Sequence, residues 1–214
     1  MDKKLFWTVF AGIMLMNYGA IHGSIALGLG EGNVSYFFQE RETVTFLSSL
    51  QLALAGLSSV FIYSLRKITY RNNATALSKS RIWLIAFFLL ALASADEFFM
   101  LHEGIDGGIV TWVFGDTANP HLDGLTLSLY GMAALWLFYR FRDEIVKYKS
   151  AMTLFFICGI LFLVSITLDL RSVDHFRIVL EESFKLSAVG FLLSGFISIL
   201  LTVYEDLKKT VAAS

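Results

Sequence analysis

The chain holds one cysteine and one proline in 214 residues. A lone Cys158, set inside an apolar run, excludes an internal disulfide, and four histidines with one cysteine exclude a cysteine-rich zinc module. Charge is scarce as well: Asp, Glu, Lys and Arg make up 16% of the residues and nearly cancel, at a net −1. That removes the broad basic field that nucleic acid needs, so no nucleic-acid partner is expected. Linkers are short, and no second domain, low-complexity tract or convincing internal repeat appears, so the chain reads as a single domain over residues 1–214. What is abundant is apolar. Hydrophobic residues reach 56% and mean hydropathy +0.66, beyond what a soluble domain carries.

Six apolar runs have the length needed to cross a hydrocarbon core of roughly 30 Å. They cover about residues 5–29, 44–65, 82–102, 125–141, 151–170 and 176–204. In lipid such a run satisfies its backbone polar groups only as a helix, and no alternating barrel pattern is present. The expected fold is therefore all-α, a bundle of six transmembrane helices. Lys3 and Lys4 ahead of the first run resemble the start of a signal peptide, but this run is too long and carries His22, so it is read as a retained helix.

Orientation follows from the basic residues. With the N-terminus cytoplasmic, all of the 17 Lys and Arg except Arg41, Arg171, Arg177 and Lys185 fall on the inner side, and the even span count puts both termini there. All of the 18 acids except Asp2, Asp143, Glu144, Glu205 and Asp206 fall on the outer half, together with His22, His102, His121 and His175. The expected location is the plasma (inner) membrane, with membrane lipids as neighbours, a homo-oligomer or larger membrane complex as the candidate assembly, and an extracytoplasmic functional face. The inner half offers almost no buried ionisable group. The loop 30–42, with Tyr36, Phe37 and Phe38, is expected to lie in the interface, and the loop 104–123, with Trp112, Phe114 and Pro120, is a candidate cap.

Two acidic segments carry the chemistry. Near the outer end of the third run, Asp96 and Glu103 lie two turns apart on one face with Met100, His102 points about 100° further round toward Asp106, and Glu97 takes a neighbouring face. A carboxylate facing lipid costs several kcal/mol, so these groups should face the bundle interior. The sixth run opens with Asp174, His175, Arg177, Glu181, Glu182 and Lys185. Glu181 sits one turn from both Arg177 and Lys185, which favours a structural role. Glu182, on another face and within reach of Lys185, is the better working carboxylate.

At about 1.5 Å per residue, Asp96 and Glu97 sit as deep as Glu181 and Glu182, so the two segments are expected to share one outward cavity, with Asp169 and His22 able to join it. Unpaired anions at low dielectric take up protons or bind a cation. Asp96, Glu97, His102, Glu103, His175 and Glu182 form the expected ligand set for a divalent metal ion, with Zn, Mn, Fe and Ca all compatible. Glu103 and Glu182 are the candidate catalytic bases. No His-Glu-x-x-His helix, di-iron Glu-x-x-His pair or nucleophile elbow occurs.

Ser94-x-Asp96-Glu97-x4-His102-Glu103, preceded by the helix beginning Thr43-Val-Thr-Phe-Leu-Ser-Ser and followed by Glu181-Glu182-x2-Lys185, resembles a group of small bacterial multipass membrane proteins. That resemblance spans most of the chain and implies no particular activity. Glu181-Glu182-x2-Lys185, Phe99-x3-Glu103 and His102-x3-Asp106 are also similar to the three short motifs of PrsW-type intramembrane proteases, relatives of the CAAX-processing enzymes. In those enzymes the Glu-Glu motif comes first, whereas here it comes last. Three functions fit these residues: a metal-dependent hydrolase of a lipid or membrane peptide, a cation or proton transporter, and an accessory subunit of a membrane complex. The first is preferred on sequence.

Overall fold

A computed structural model describes residues 2–38, 42–71, 73–99, 101, 125–169 and 175–212, with backbone alone at 125–128 and 169. Every regular element among the described residues is helical. In chain order these are α1 (Lys3–Glu31), a 3₁₀ turn (Val34–Phe38), α2 (Thr43–Thr69), α3 (Ala74–Phe99), α4 (Leu125–Arg140), the single turn α5 (Arg142–Ile145), α6 (Lys149–Asp169) and α7 (His175–Ala212). Five helical segments are long and apolar enough to cross a membrane, and α4, described over 16 residues, falls on the remaining expected run.

Local chemistry sets the helix ends. Asp2 caps α1 by accepting the N–H groups of Lys4 at 3.0 Å and Leu5 at 3.1 Å. Asn73 caps α3 in the same way, accepting the Ala76 N–H at 3.0 Å. This cap lets α3 begin at Ala74, well ahead of its apolar run, because hydropathy marks bilayer thickness and a helix can continue into water. At the other end of α1, Gly32 adopts φ +75°, a left-handed conformation suited to glycine. The chain then folds back so closely that a β-carbon on Gly28 would collide with Val34.

That reversal changes the expected role of the 30–42 loop. Tyr36 is exposed as an interfacial ring should be, but Phe38 is buried against Val44, Val179 and Leu186. The 3₁₀ turn packs on α1, α7 and α2, with Phe38 inserted among them. The candidate cap at 104–123 lies outside the described residues.

α2 and α7 form the centre of the bundle. α7 packs on α6, α2 and α1, and α2 packs on α3 and α7. The surrounding helices turn Trp7, Leu15, Phe88, Phe156 and Leu163 outward, the apolar exterior expected of a protein solvated by lipid. Two ends are distinguishable: a basic end with Lys3, Lys67, Lys149 and Lys208, and an acidic end with Glu97, His175 and Glu182.

Candidate functional site

At the acidic end, α2 supplies a buried polar stripe within an apolar helix: Thr45, Ser48, Ser49 and Gln51. Small hydroxyl residues let helices approach closely and bond across the gap. Ser49 Oγ donates to the Ser94 carbonyl at 2.8 Å, and Ser94 Oγ donates back to the Ser49 carbonyl at 2.9 Å. This reciprocal brace holds α2 and α3 in register one turn from Glu97.

Glu97 is thereby aimed into the bundle. Ser48 Oγ donates to its Oε1 at 3.0 Å, and Lys185 Nζ reaches the same atom at 3.1 Å. Lys185 also lies 2.6 Å from Glu182 Oε1, one turn back on α7. One ammonium therefore bridges carboxylates from two helices, with all three side chains largely withdrawn from the surface. Asp96, adjacent to Glu97, is buried too. Removing one member of such a group strands a charge, which in soluble proteins costs about 3–5 kcal/mol.

A neutral layer lies below. Asn17 Nδ2 donates to the Leu186 carbonyl at 3.1 Å, and Gln51 Nε2 donates to Asn17 Oδ1. Gly190 makes room for this, since a β-carbon there would strike Asn17 Nδ2. Asn17 and Gln51 thus join α1, α2 and α7 directly beneath Lys185.

Of the residues expected at one site, the structure brings together Glu97 and Glu182 through Lys185, with Asp96 buried beside Glu97. His175 opens α7, where its Nδ1 lies 2.7 Å from Ser35 Oγ, two turns from Glu182. The His22 ring lies against Tyr18, tilted by 50° with ring centres 4.0 Å apart, on an exposed stretch of α1. His102, Glu103 and Asp106 lie outside the described residues. Among the described residues no three His, Cys, Asp or Glu side chains gather as a metal would require. Sequence reasoning gave no role to Ser48, Asn17 or Gln51, although each is a polar residue inside an apolar run, a pattern rarely kept without a partner.

The basic end holds a second cluster, where almost no buried ionisable group was expected. Arg66 Nη2 donates to Glu144 Oε1 at 2.8 Å, and both side chains are buried. Lys147 Nζ meets Glu144 Oε2 at 2.6 Å from the surface side. Arg66 Nη1 donates to the Tyr70 hydroxyl, and the guanidinium lies 4.7 Å from the Tyr70 ring centre and 5.7 Å from that of Tyr148. Glu144 was expected only to fall at this end with Asp143; the α5 turn buries it against Arg66 of α2.

Residues 23–199 match a family described as a domain of unknown function (DUF8692). The chain belongs to that family. The matched region contains Ser48, Gln51, Glu97, Glu182 and Lys185 as well as Arg66, Glu144 and Tyr148, so both charged clusters fall within it. No curated protein and no solved structure matches the chain.

Proposed function

We propose that this chain is a six-span protein of the plasma (inner) membrane, with both termini cytoplasmic and the acidic end outward, that moves protons or metal cations through the Glu97–Lys185–Glu182 site. The observation that carries this reading is the placement of one lysine between carboxylates of α3 and α7, 3.1 Å from the first and 2.6 Å from the second. Fully ionised, these three groups sum to −1. An arriving proton or cation therefore competes with the ammonium for the carboxylates, as coupled sites do. Its binding frees Lys185 and loosens the link between the two helices, which couples occupancy to helix movement.

The buried Arg66–Glu144 pair supports transport over hydrolysis, because it supplies charged groups at the opposite end of the same α2–α7 core. A protease or other hydrolase built on Glu103 and Glu182, with a metal on Asp96, His102 and His175, must first free Glu182 from Lys185. Ion exchange uses that release as its working step.

The test is flux. Full-length protein in liposomes, with a pH-sensitive or a metal-sensitive dye inside and an imposed ion gradient, should move protons or one of Zn, Mn, Fe and Ca faster than empty liposomes. Glu97→Gln and Glu182→Gln should lose most of that flux. Wild-type liposomes no leakier than empty ones to all five ions would overturn the reading. Reporter fusions after Lys149 and Lys209 should read cytoplasmic and a fusion within 119–122 external, or the assigned orientation fails.

A further inference from the structure

Lys185 stands where a bound cation would stand. Its ammonium nitrogen is held between carboxylates of two helices, 3.1 Å from Glu97 Oε1 of α3 and 2.6 Å from Glu182 Oε1 of α7. Ser48 of α2 donates to the same Glu97 oxygen at 3.0 Å and keeps lone pairs of its own, so a neutral oxygen borders the two carboxylates. The space between them is already defined, because the ammonium fills it. An ion that takes its place needs no further cavity.

Charge decides which ion. Among the described side chains, the titratable groups that share this end with Lys185 are Asp96 and Glu97 of α3 and His175, Arg177, Glu181 and Glu182 of α7. At the same depth α2 adds hydroxyls and an amide but no charge, and His22 of α1 is exposed. Whatever these groups sum to, exchanging one ammonium for one monovalent cation leaves the total unchanged, whereas a divalent ion adds a charge that the folded site does not carry. The donor set agrees. Oxygens 2.6 and 3.1 Å from the centre are spaced more widely than the about 2.3–2.6 Å of calcium or the about 2.0–2.1 Å of magnesium. Among the described residues no three His, Cys, Asp or Glu side chains gather there to hold a divalent ion.

We propose that the Glu97–Lys185–Glu182 site takes up an alkali-metal cation, sodium or potassium, in exchange for one proton of Lys185. One N–H bond of the ammonium breaks, its electron pair stays on the nitrogen, and the proton passes to water. The neutral amine then swings aside on its flexible stem, and the cation settles between the two carboxylates. This names the ion of the transport site and rests on that reading, with one proton counted against each cation.

Equilibrium binding to the full-length protein in detergent tests the exchange, with sodium or potassium chloride substituted for N-methylglucamine chloride at constant ionic strength. The melting temperature should rise saturably with at least one alkali cation and stay flat in N-methylglucamine. From about pH 9 down to about pH 7 the half-saturating concentration should rise about tenfold per pH unit, because one proton competes with one cation. Lys185→Gln removes that proton and should bind the cation without the pH slope. Should the variant fail to fold, proton release by weakly buffered wild-type protein decides, at one proton per cation bound. No alkali response, a response that ignores pH, or saturable stabilisation by calcium or manganese in place of alkali ions would overturn the exchange. Proton flux in liposomes without alkali binding leaves the transport reading standing and removes this one; alkali binding without flux does the reverse.

Discussion

Asn17 donates its amide to the carbonyl oxygen of Leu186 at 3.1 Å, directly beneath the residue that bridges the two carboxylates. The first helix thus fixes the helix that carries Lys185, and Gln51 locks the same amide from the other side. The position of the lysine is a property of three helices packed together, and its chemistry can be perturbed from any of them.

Lys185→Met should destabilise the protein by about 3–5 kcal/mol, since it leaves Glu97 and Glu182 facing each other in the core. Adding Glu182→Gln should recover part of that loss, because one of the two stranded charges is removed. Denaturant titrations of the single and double variants check this; a double variant less stable than Lys185→Met alone contradicts the bridge.

Asn17→Leu and Gln51→Leu should each cost about 1–3 kcal/mol, because each orphans a buried partner. Combined, they should cost less than the sum of the two, since the bond they share is lost only once. A double-mutant cycle measures that coupling, and strict additivity counts against the Asn17–Gln51 contact.

At the basic end the two cations on Glu144 should be unequal. Arg66 has 6% of its side chain exposed and Lys147 has 49%. Arg66→Met should therefore cost about 3–5 kcal/mol, and Lys147→Met less than about 1 kcal/mol, in line with a pair screened by water. Comparable losses in the two melting curves would mean that burial does not govern this cluster.

Burial pushes the Tyr148 hydroxyl well above the usual tyrosine range; Arg66 draws it back, while Glu144, Tyr70 and Asp206 reinforce the rise. The folded state therefore holds this proton more tightly than the unfolded chain. Its contribution to stability is complete below the ordinary tyrosine value of about 10 and is lost as pH rises above it toward the folded value. A spectrophotometric titration of tyrosinate should show one residue ionising late, and Tyr148→Phe should delete that phase. Tyr148 ionising with the exposed tyrosines would refute the assignment.

How much was legible beforehand can be judged residue by residue. The run 44–65 announces α2 because its apolar length admits only a helix in lipid, and the excess of Lys and Arg at one set of loops separates the basic end from the acidic one. Glu97 and Glu182 stood out because a carboxylate inside an apolar run is expensive, and matching their depth needed only the rise per residue. Rotation was a different matter. Lipid and bundle interior are equally apolar, so the pattern of α6 or α1 does not say which face meets a neighbour.

The amino-acid sequence by itself determined that the chain folds as apolar helices with its acids gathered toward one end, since length and hydropathy act on each segment separately. Only the tertiary structure decided that α2 and α7 form the centre, that Lys185 joins Glu97 to Glu182, and that the α5 turn swings Glu144 under Arg66. Those choices belong to side-chain packing and hydrogen bonds between helices distant in sequence. Such interactions arise only when two helix faces meet, and no single segment encodes its partner's rotation.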